Sequence, residues 1–422
     1  MARSIIIGGG VIGLLSAYEL RRRGRDVIVI DKGNFGQGAS AGNAGWITPS
    51  LSAPVPAPGL VAQSIKWMLR PDSPLYVKPS VVPGMLGWLL EFWRHCNVEK
   101  YEQGRSALGM LNRLSLRDFD RLAEQGLDFE MHSAGLLYVF RTEEALRAYL
   151  DDLAHWEEFG ASEPKRLTPD EARELEPALR PEIIGGLLVE SERHVRPEKL
   201  LSAAEQWLRA NGADMRAHTE VADLVIQDGR VTGVRVKGGD VIEGDEVLLA
   251  TGAEAASLAA RAGFELPMQA GKGYSLTIRN PKLKLGRSMY LVEGRVALAP
   301  YDGALRLAGT MELSGINTNL YEERIAGIRK SAGLYLTDWS DGDEIIPWVG
   351  MRPMLPDGLP AIGRAPTIPN FYIASGHAML GVTLGPTTAA LIADLMTKGQ
   401  AEIDLTPFDP ARFDRRLAAA RR

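Results

Sequence analysis

At 422 residues the chain is long enough for two to three domains, and its 45% apolar content is ample for a large core. A net charge of −5 supplies no global basic field, which argues against nucleic acid as a partner. Cys96 is the only cysteine, so an intramolecular disulfide, a C-x-x-C pair and a zinc knuckle are excluded; a reducing, cytoplasmic setting fits.

The elements begin at once. Ser4 to Ile7 reads as a short buried strand, Gly8, Gly10 and Gly13 supply a G-x-G-x-x-G turn, and Val11 to Arg23 follows a helical apolar pattern ended by Gly24. A second strand, Val27 to Ile30, finishes at Asp31, eighteen residues after Gly13. Gly8 permits the tight turn, Gly10 lets backbone approach a pyrophosphate, and Gly13 allows close helix–strand packing. The helix N-terminus offers free N–H groups and a partial positive charge to phosphates, and Asp31 stands where a carboxylate accepts hydrogen bonds from a ribose. The N-terminal apolar stretch is this strand and not a signal peptide. The order strand, turn, helix, strand, acid predicts a dinucleotide site and leaves FAD and NAD open.

The next segment separates the two. Gly36 to Gly45 is a loop of small residues with one hydroxyl (Ser40) and one carboxamide (Asn43), where an NAD enzyme would enter another crossover. Here the chain resembles the D-amino-acid oxidase/glycine oxidase superfamily of flavoproteins, which follows its ribose-binding acid with a similar Ala-Ser-x-x-Asn-Ala-Gly loop. The resemblance implies an α/β fold: a Rossmann-type FAD-binding domain with a discontinuous second domain on a mixed, largely antiparallel sheet. It implies FAD contacts at Val11, Ile12, Lys32, Ala39, Ser40, Asn43, Ala44 and Gly45 beside the motif residues already named, and at Val221.

From Leu60 to Glu124 helical patterns dominate. The segment 65–93, with Trp67, Met68, Leu69, Met85, Trp88, Phe92 and Trp93, has the composition of a peripheral membrane or quinone-facing surface. Two helices packed over the cofactor would look the same, and that reading is favoured. No stretch reaches the roughly 18–20 uninterrupted apolar residues of a membrane span. At most the protein is peripheral to the inner face of the membrane.

A strand is expected over Gly135 to Phe140, a helix over Glu143 to Phe159 and a capped helix start at Thr168-Pro169-Asp170-Glu171. Gly185 to Glu190 reads as a strand and Arg196 to Arg209 as a helix. Glu220 to Ile226 and Val231 to Val236 form a hairpin around Asp228-Gly229. Val247 to Ala250 is a short buried strand ending in Thr251-Gly252, a point where the superfamily's sheet returns to the cofactor. Alternating strands at Tyr274 to Ile278, Val296 to Ala299 and Leu305 to Thr310 predict an antiparallel substrate sheet. The expected division is 1–60, 168–262 and 340–422 for the FAD domain, and 61–167 and 263–339 for the substrate domain.

Arg352 is held between Gly350 and Pro353 among apolar neighbours. A guanidinium is planar, permanently charged and grips a carboxylate through two parallel hydrogen bonds. A structural ion pair with Asp357 or a surface arginine is the alternative, and the carboxylate grip is favoured. Ser375-Gly376-His377 follows a strand and opens a helix whose N–H groups suit negative charge on a flavin. The superfamily has a similar Gly-x-Arg-Pro motif, whose arginine grips the substrate α-carboxylate, and a similar C-terminal Gly-His-x-x-x-Gly motif. The resemblance makes Arg352, Tyr274, Tyr290 and His377 the catalytic candidates, with Tyr301 beside them, and Gly376, Leu380, Gly381 and Thr383 flavin contacts. No metal site is expected, the remaining histidines lacking ligand spacing. The basic tail Arg412 to Arg422 reads as a solvated helix end.

Lys272-Gly273-Tyr274-Ser275-Leu276-Thr277, Lys66-Trp67-Met68-Leu69 and Ala57-Pro58-Gly59 narrow the resemblance to bacterial D-amino-acid dehydrogenases of small-subunit type. It implies oxidative deamination of a D-amino acid, by hydride transfer from Cα to flavin N5, to a 2-oxo acid and ammonia. Electrons then pass to a quinone, another acceptor or oxygen. The turn Val382 to Thr388 is closer to glycine oxidase or D-hydroxyproline dehydrogenase relatives, so a glycine/sarcosine-type or D-hydroxyproline enzyme is the alternative. No cysteine or histidine stands where some relatives attach flavin, so FAD is expected to be non-covalent. An NAD-dependent dehydrogenase and a non-catalytic FAD-binding subunit are the readings from other classes.

Overall fold

The computed structural model describes residues 2–61, 64 and 75–414. Strand β1 (Arg3–Ile7), helix α1 (Val11–Arg22) and strand β2 (Asp26–Ile30) form the expected unit, β1 and β2 pairing in parallel from Arg3↔Asp26 to Ile7↔Ile30. They belong to a six-stranded sheet in the order Asp214–Arg216, β2, β1, Glu246–Leu249, Phe371–Ser375, Ala361–Arg364. All neighbours are parallel except the last pair. β1 is buried on both faces, so it reads as a continuous apolar run instead of an alternating one. The chain therefore returns to this sheet three times after residue 30, each time over a long sequence gap.

The long middle of the chain builds the second layer. Helices α2 (Val82–His95) and α3 (Val98–Glu124) are followed by a nine-stranded mixed sheet. Its core comprises β3 (Gln269–Arg279) and β4 (Ala304–Leu313), helix α4 (Glu322–Tyr335) on one face, and β5 (Glu344–Met354) at the edge. β3 and β5 pair antiparallel from Gln269↔Met354 to Arg279↔Glu344. Beyond β4 the sheet continues through Val296–Tyr301, Ser288–Leu291, Leu136–Phe140, Gly185–Val189 and Lys165–Leu167.

Three segments sit differently from the sequence division. Residues 344–354, expected with the FAD domain, form the edge of the large sheet. Gly185–Val189, also expected there, pairs with Leu136–Phe140 in the same sheet. Conversely α3 sends Ala107, Leu108, Leu111, Phe119 and Leu122 into the core that covers α1. In each case the partner lies far away in sequence, so local periodicity carries no information about it. Local chemistry did carry over at Thr168, whose capping box with Glu171 forms as expected: Thr168 N–H donates to Glu171 Oε2 at 2.7 Å.

Candidate active site

The glycine turn is tight for a measurable reason. Gly8 has φ +106° and donates to Ile30 O at 2.8 Å, while a Cβ on Gly13 would fall 1.8 Å from the Gly8 carbonyl oxygen. Asp31 accepts from Gly9 N at 2.7 Å and Gly33 N at 2.8 Å, locking both rims of the turn. Gly10 caps α1 without a side chain, and Ser40 Oγ accepts from Val11 N at 3.1 Å. The N–H groups of Ile12 and Gly13, in the same first turn, have no intrahelical acceptor. Thr251, at the end of the central strand, buries a hydroxyl with no partner among the described residues. Together these make a cradle for a diphosphate. His218 and Thr219, which the sequence did not single out, donate their N–H groups to Gly33 O and Asp31 O, placing the start of the Val221 hairpin beside Asp31. Lys32 is exposed and paired with Glu254, its Nζ 2.7 Å from Oε2.

The second loop is held from outside by the large sheet. Arg306, 4% exposed, donates to Ala41 O at 2.8 Å and Asn43 O at 2.9 Å and pairs with Glu198. Tyr301 OH donates to Ala44 O at 2.7 Å. Asn43 Oδ1 accepts from Gly45 N at 2.7 Å, and a Cβ on Gly45 (φ +69°) would meet Val195 O at 1.9 Å. Ala39 at the loop tip is exposed. Trp348 reaches over from β5 to Gly42, whose hypothetical Cβ would lie 2.1 Å from its indole. Arg306 had one readable signal, a charge flanked by Leu305 and Leu307 in an apolar strand. Trp348 had none.

Helix α5 (Gly385–Lys398) starts later than the sequence suggested, because residues 376–384 form a turn that folds back over α1. Gly381 approaches Val11, and Leu380 N donates to His377 O at 2.8 Å. Gly376 has φ +88°, a conformation that favours glycine. Ala378 N donates to Pro353 O at 2.8 Å, which stitches this turn to the strand carrying Arg352. Thr383 is buried and donates to Trp46 O at 2.8 Å, so its hydroxyl serves the protein.

Arg352 shares a β5 face with Trp348, whose indole reaches Gly42 of the second loop. Its guanidinium lies flat over Gly273, donates to Thr310 O at 2.8 Å and touches Met311 Sδ at 3.7 Å. Asp357 does not pair with it: Asp357 Oδ2 accepts from Arg412 Nε at 2.7 Å. Among the described residues no carboxylate forms an ion pair with Arg352. Burial pushes its pKa down to about 10, which leaves the cation intact at neutral pH. The side chain is half-buried, and a partly desolvated cation without a counter-ion is favoured by a ligand that brings the anion.

The aromatic candidates separate. Alternation along β3 puts Gly271, Gly273, Ser275 and Thr277 on the Arg352 face. Tyr274, Leu276 and Ile278 face the core under Ile325, Ile328 and Ala332 of α4. Tyr274 therefore points away from the guanidinium, and its hydroxyl donates to Glu312 Oε2 at 2.7 Å. Tyr290 packs against Trp46, Tyr138 and Tyr149 with ring centroids 5.8, 6.0 and 6.1 Å away. His377 is 3% exposed, lies 3.0 Å from Thr388 Oγ1 through Nε2, and is pushed down to about 3 by burial. Burial holds the imidazole neutral, and its Nε2 is engaged within the protein. One cluster was not anticipated: Glu130, His132 and Asp302 bring ligand-type atoms within 4.8 Å. Glu130 already accepts from Asp302 N at 2.7 Å and sits 3.7 Å from Arg196, so its charge is compensated from within.

The model of FAD-dependent oxidoreductases known as DAO matches residues 3–395. The chain is 32% identical to a D-amino acid dehydrogenase from Methylobacterium sp. (strain 4-46) over 428 residues, covering 98% of this chain and 99% of that protein. It is 31% identical to one from Xanthobacter autotrophicus over 423 residues, covering 97% and 99%. Glycine oxidase from Bacillus cereus superposes with a TM-score of 0.75 at 24% identity, over 96% of this chain and 100% of that one. Iminodiacetate oxidase from Chelativorans sp. superposes at 0.76 and 23% identity, over 97% and 99%. The cradle, the braced second loop and the full-length match agree, and the chain belongs to the DAO family of FAD-dependent oxidoreductases.

Proposed function

We propose that this protein oxidises D-amino acids to imino acids, which water converts to 2-oxo acids and ammonia. The observation that carries the reading is Arg352, a half-buried cation on the strand joined to the Gly376–Thr383 turn, with no carboxylate of its own among the described residues. A substrate α-carboxylate would supply the missing anion and be fixed by two parallel hydrogen bonds, leaving the Cα–H oriented for transfer. Such positioning is worth many orders of magnitude without any protein acid or base. When bound, FAD would supply the two-electron acceptor for that hydride, with a quinone or another acceptor as the final oxidant. The names of the full-length relatives support the substrate class. A glycine/sarcosine-type or D-hydroxyproline substrate is the second reading, favoured by the Trp348 indole, which fills the space over Gly350 on the Arg352 face and leaves little room for a large side chain.

FAD is held without a covalent bond in this reading. Cys96 ends α2 and donates to Phe92 O at 3.3 Å, and His377 is engaged with Thr388. The domain division becomes one of sheets: the six-stranded sheet with α1, α3 and α5 binds FAD, and the nine-stranded sheet carries the substrate floor. No helix among the described residues is long and apolar enough to cross a membrane. Peripheral contact is a further part of the proposal. On α2, Met85 and Trp88 pack toward Met354 while Leu86, Leu90 and Trp93, spaced to share a face, are exposed. Of the segment named for this contact, residues 65–74 lie outside the described residues. Flotation with anionic vesicles tests it, and Trp93→Ser should reduce the bound fraction.

The decisive experiment is anaerobic mixing of the yellow holoenzyme with D-alanine, D-proline, D-phenylalanine and glycine. Bleaching by D-amino acids is expected. If glycine alone bleaches the flavin, the second reading replaces the first; if nothing does, both fall. Reoxidation by air against a quinone analogue then identifies the acceptor.

A further inference from the structure

Strands β3 and β4 run in register from Arg279↔Ala304 to Tyr274↔Gly309, but Lys272 stands opposite Glu312. Two residues, Thr310 and Met311, therefore oppose Gly273 alone, which is a β-bulge. Thr310 adopts φ +58°, a conformation a β-branched residue rarely takes. The bulge turns the Thr310 carbonyl onto Arg352 Nη1 at 2.8 Å, and Gly273 leaves the space in which the guanidinium lies.

On the opposite face three buried polar side chains flank the same bulge. Lys272 and Tyr274, the neighbours of Gly273, both bond to Glu312, the residue just beyond the bulge: Tyr274 OH to Oε2 at 2.7 Å and Lys272 Nζ to Oε1 at 3.4 Å. Lys272 also donates to Asn317 Oδ1 at 2.8 Å and lies 4.5 Å from the Tyr321 ring centroid. All three are at most 1% exposed, and none faces the cleft. A one-residue slip of a strand moves each side chain to the other face of the sheet. Here such a slip would carry Glu312 to the Arg352 face, where its carboxylate would take the guanidinium from any ligand. Only the bulged register gives Glu312 both of its partners.

We infer that Lys272, Glu312 and Tyr274 form a register lock, a set of positioning residues that keeps the Thr310 carbonyl on Arg352 and the Glu312 carboxylate away from it. The inference rests on the reading of Arg352 as the carboxylate anchor. Buried polar groups that fix register are a well-attested use of such costly contacts.

The test is stopped-flow flavin reduction of the holoenzyme by D-alanine and D-proline, which separates substrate affinity from the limiting rate. Tyr274→Phe should weaken affinity by about tenfold with the limiting rate within about threefold, a loss that requires Arg352 and so should shrink to within about twofold in an Arg352→Ala background. Glu312→Gln, which keeps the volume but removes the charge that holds Lys272, provides a second variant should Tyr274→Phe fail to fold. It should weaken affinity in the same direction with the limiting rate within about threefold, and that loss too should shrink to within about twofold in the Arg352→Ala background, a dependence that a merely structural role would not produce. Equal weakening in both backgrounds, or none in the wild type, overturns the lock and leaves the anchor standing. An Arg352→Ala variant that binds substrate as the wild type does overturns the anchor and the lock with it.

Discussion

The cofactor cradle and the substrate floor are built by opposite means. In the cradle the working groups are backbone N–H groups, and side chains such as Asp31 and Ser40 only pin the loops that carry them. On the proposed substrate floor the working group is one side chain, Arg352, and backbone atoms such as the Thr310 carbonyl pin it. A cradle of N–H groups tolerates no added atom where strand meets helix. A floor built on one cation tolerates reshaping but no loss of that charge. The two regions should therefore fail differently when altered.

The largest effect is expected in the cradle. Gly13→Ala puts a methyl 1.8 Å from the Gly8 carbonyl oxygen, so α1 must move off β1. Forced overpacking against backbone costs about 1–3 kcal/mol or more, and the purified protein should be colourless, with no absorbance near 450 nm. Retention of stoichiometric flavin would break the distinction between the regions. On the floor, Arg352→Ala should leave the protein yellow while kcat/KM falls by a hundredfold or more, since losing a buried charged partner costs about 2–5 kcal/mol. Steady-state kinetics on flavin-replete enzyme checks this, and a variant that also loses flavin would show that the regions are not independent.

How much the sequence revealed follows the same line. Gly8, Gly10, Gly13 and Asp31 were legible because turn, helix and acid are consecutive, so their spacing is their geometry. Arg352 was legible by its chemistry, a charge among apolar and rigid neighbours, yet its strand was assigned to the wrong sheet. The pairing of β5 with β3 joins residues 65 apart at their nearest register, Arg279 and Glu344, and 85 apart at Gln269 and Met354. Nothing local encodes that. Tyr274 was expected beside the substrate because its motif is local, but which face of β3 it takes depends on strand alternation around a bulge that only β4 creates. Arg306 and Trp348 brace a loop some 265 and 306 residues upstream, and contacts of that span leave no pattern in one chain.

A smaller effect would sharpen the picture of the floor. Gly273 pairs directly with Gly350, and cross-strand Cβ positions lie about 4.5–5.5 Å apart. The Arg352 guanidinium covers the first glycine and the Trp348 indole edge the second, so the indole walls the space next to an anchored carboxylate. Trp348→Ala should raise kcat/KM for D-phenylalanine relative to D-alanine by about tenfold, within the roughly 1–3 kcal/mol that pocket volume usually commands. An unchanged ratio would place the side-chain pocket elsewhere.

The smallest effects on catalysis belong to the groups at the seam between the two regions, whose influence is on stability. His377 and His194 are pushed down to about 3 and about 4 by burial, so the folded state stays neutral where the unfolded state, near 6.5, takes protons. Their contribution is fully present above pH 6.5 and is lost as pH falls. Glu192 is fully buried and raised to about 8, with one oxygen accepting from Ser50 N at 3.0 Å and the other without a partner among the described residues. Its contribution is present below about pH 4.5 and is lost as pH rises toward 8. Each proton is worth about 1.4 kcal/mol per pH unit. Between pH 4.5 and 6.5 the two histidines outweigh the one carboxyl, and above 6.5 the carboxyl acts alone. Thermal unfolding of the holoenzyme should accordingly be highest near pH 6.5. Glu192→Gln should flatten the alkaline side, and His377→Asn should soften the acid side while changing kcat by less than about threefold, because a neutral imidazole tied to Thr388 transfers no proton. A large loss of kcat in His377→Asn with flavin retained would return this histidine to the chemistry and move the boundary between cradle and floor.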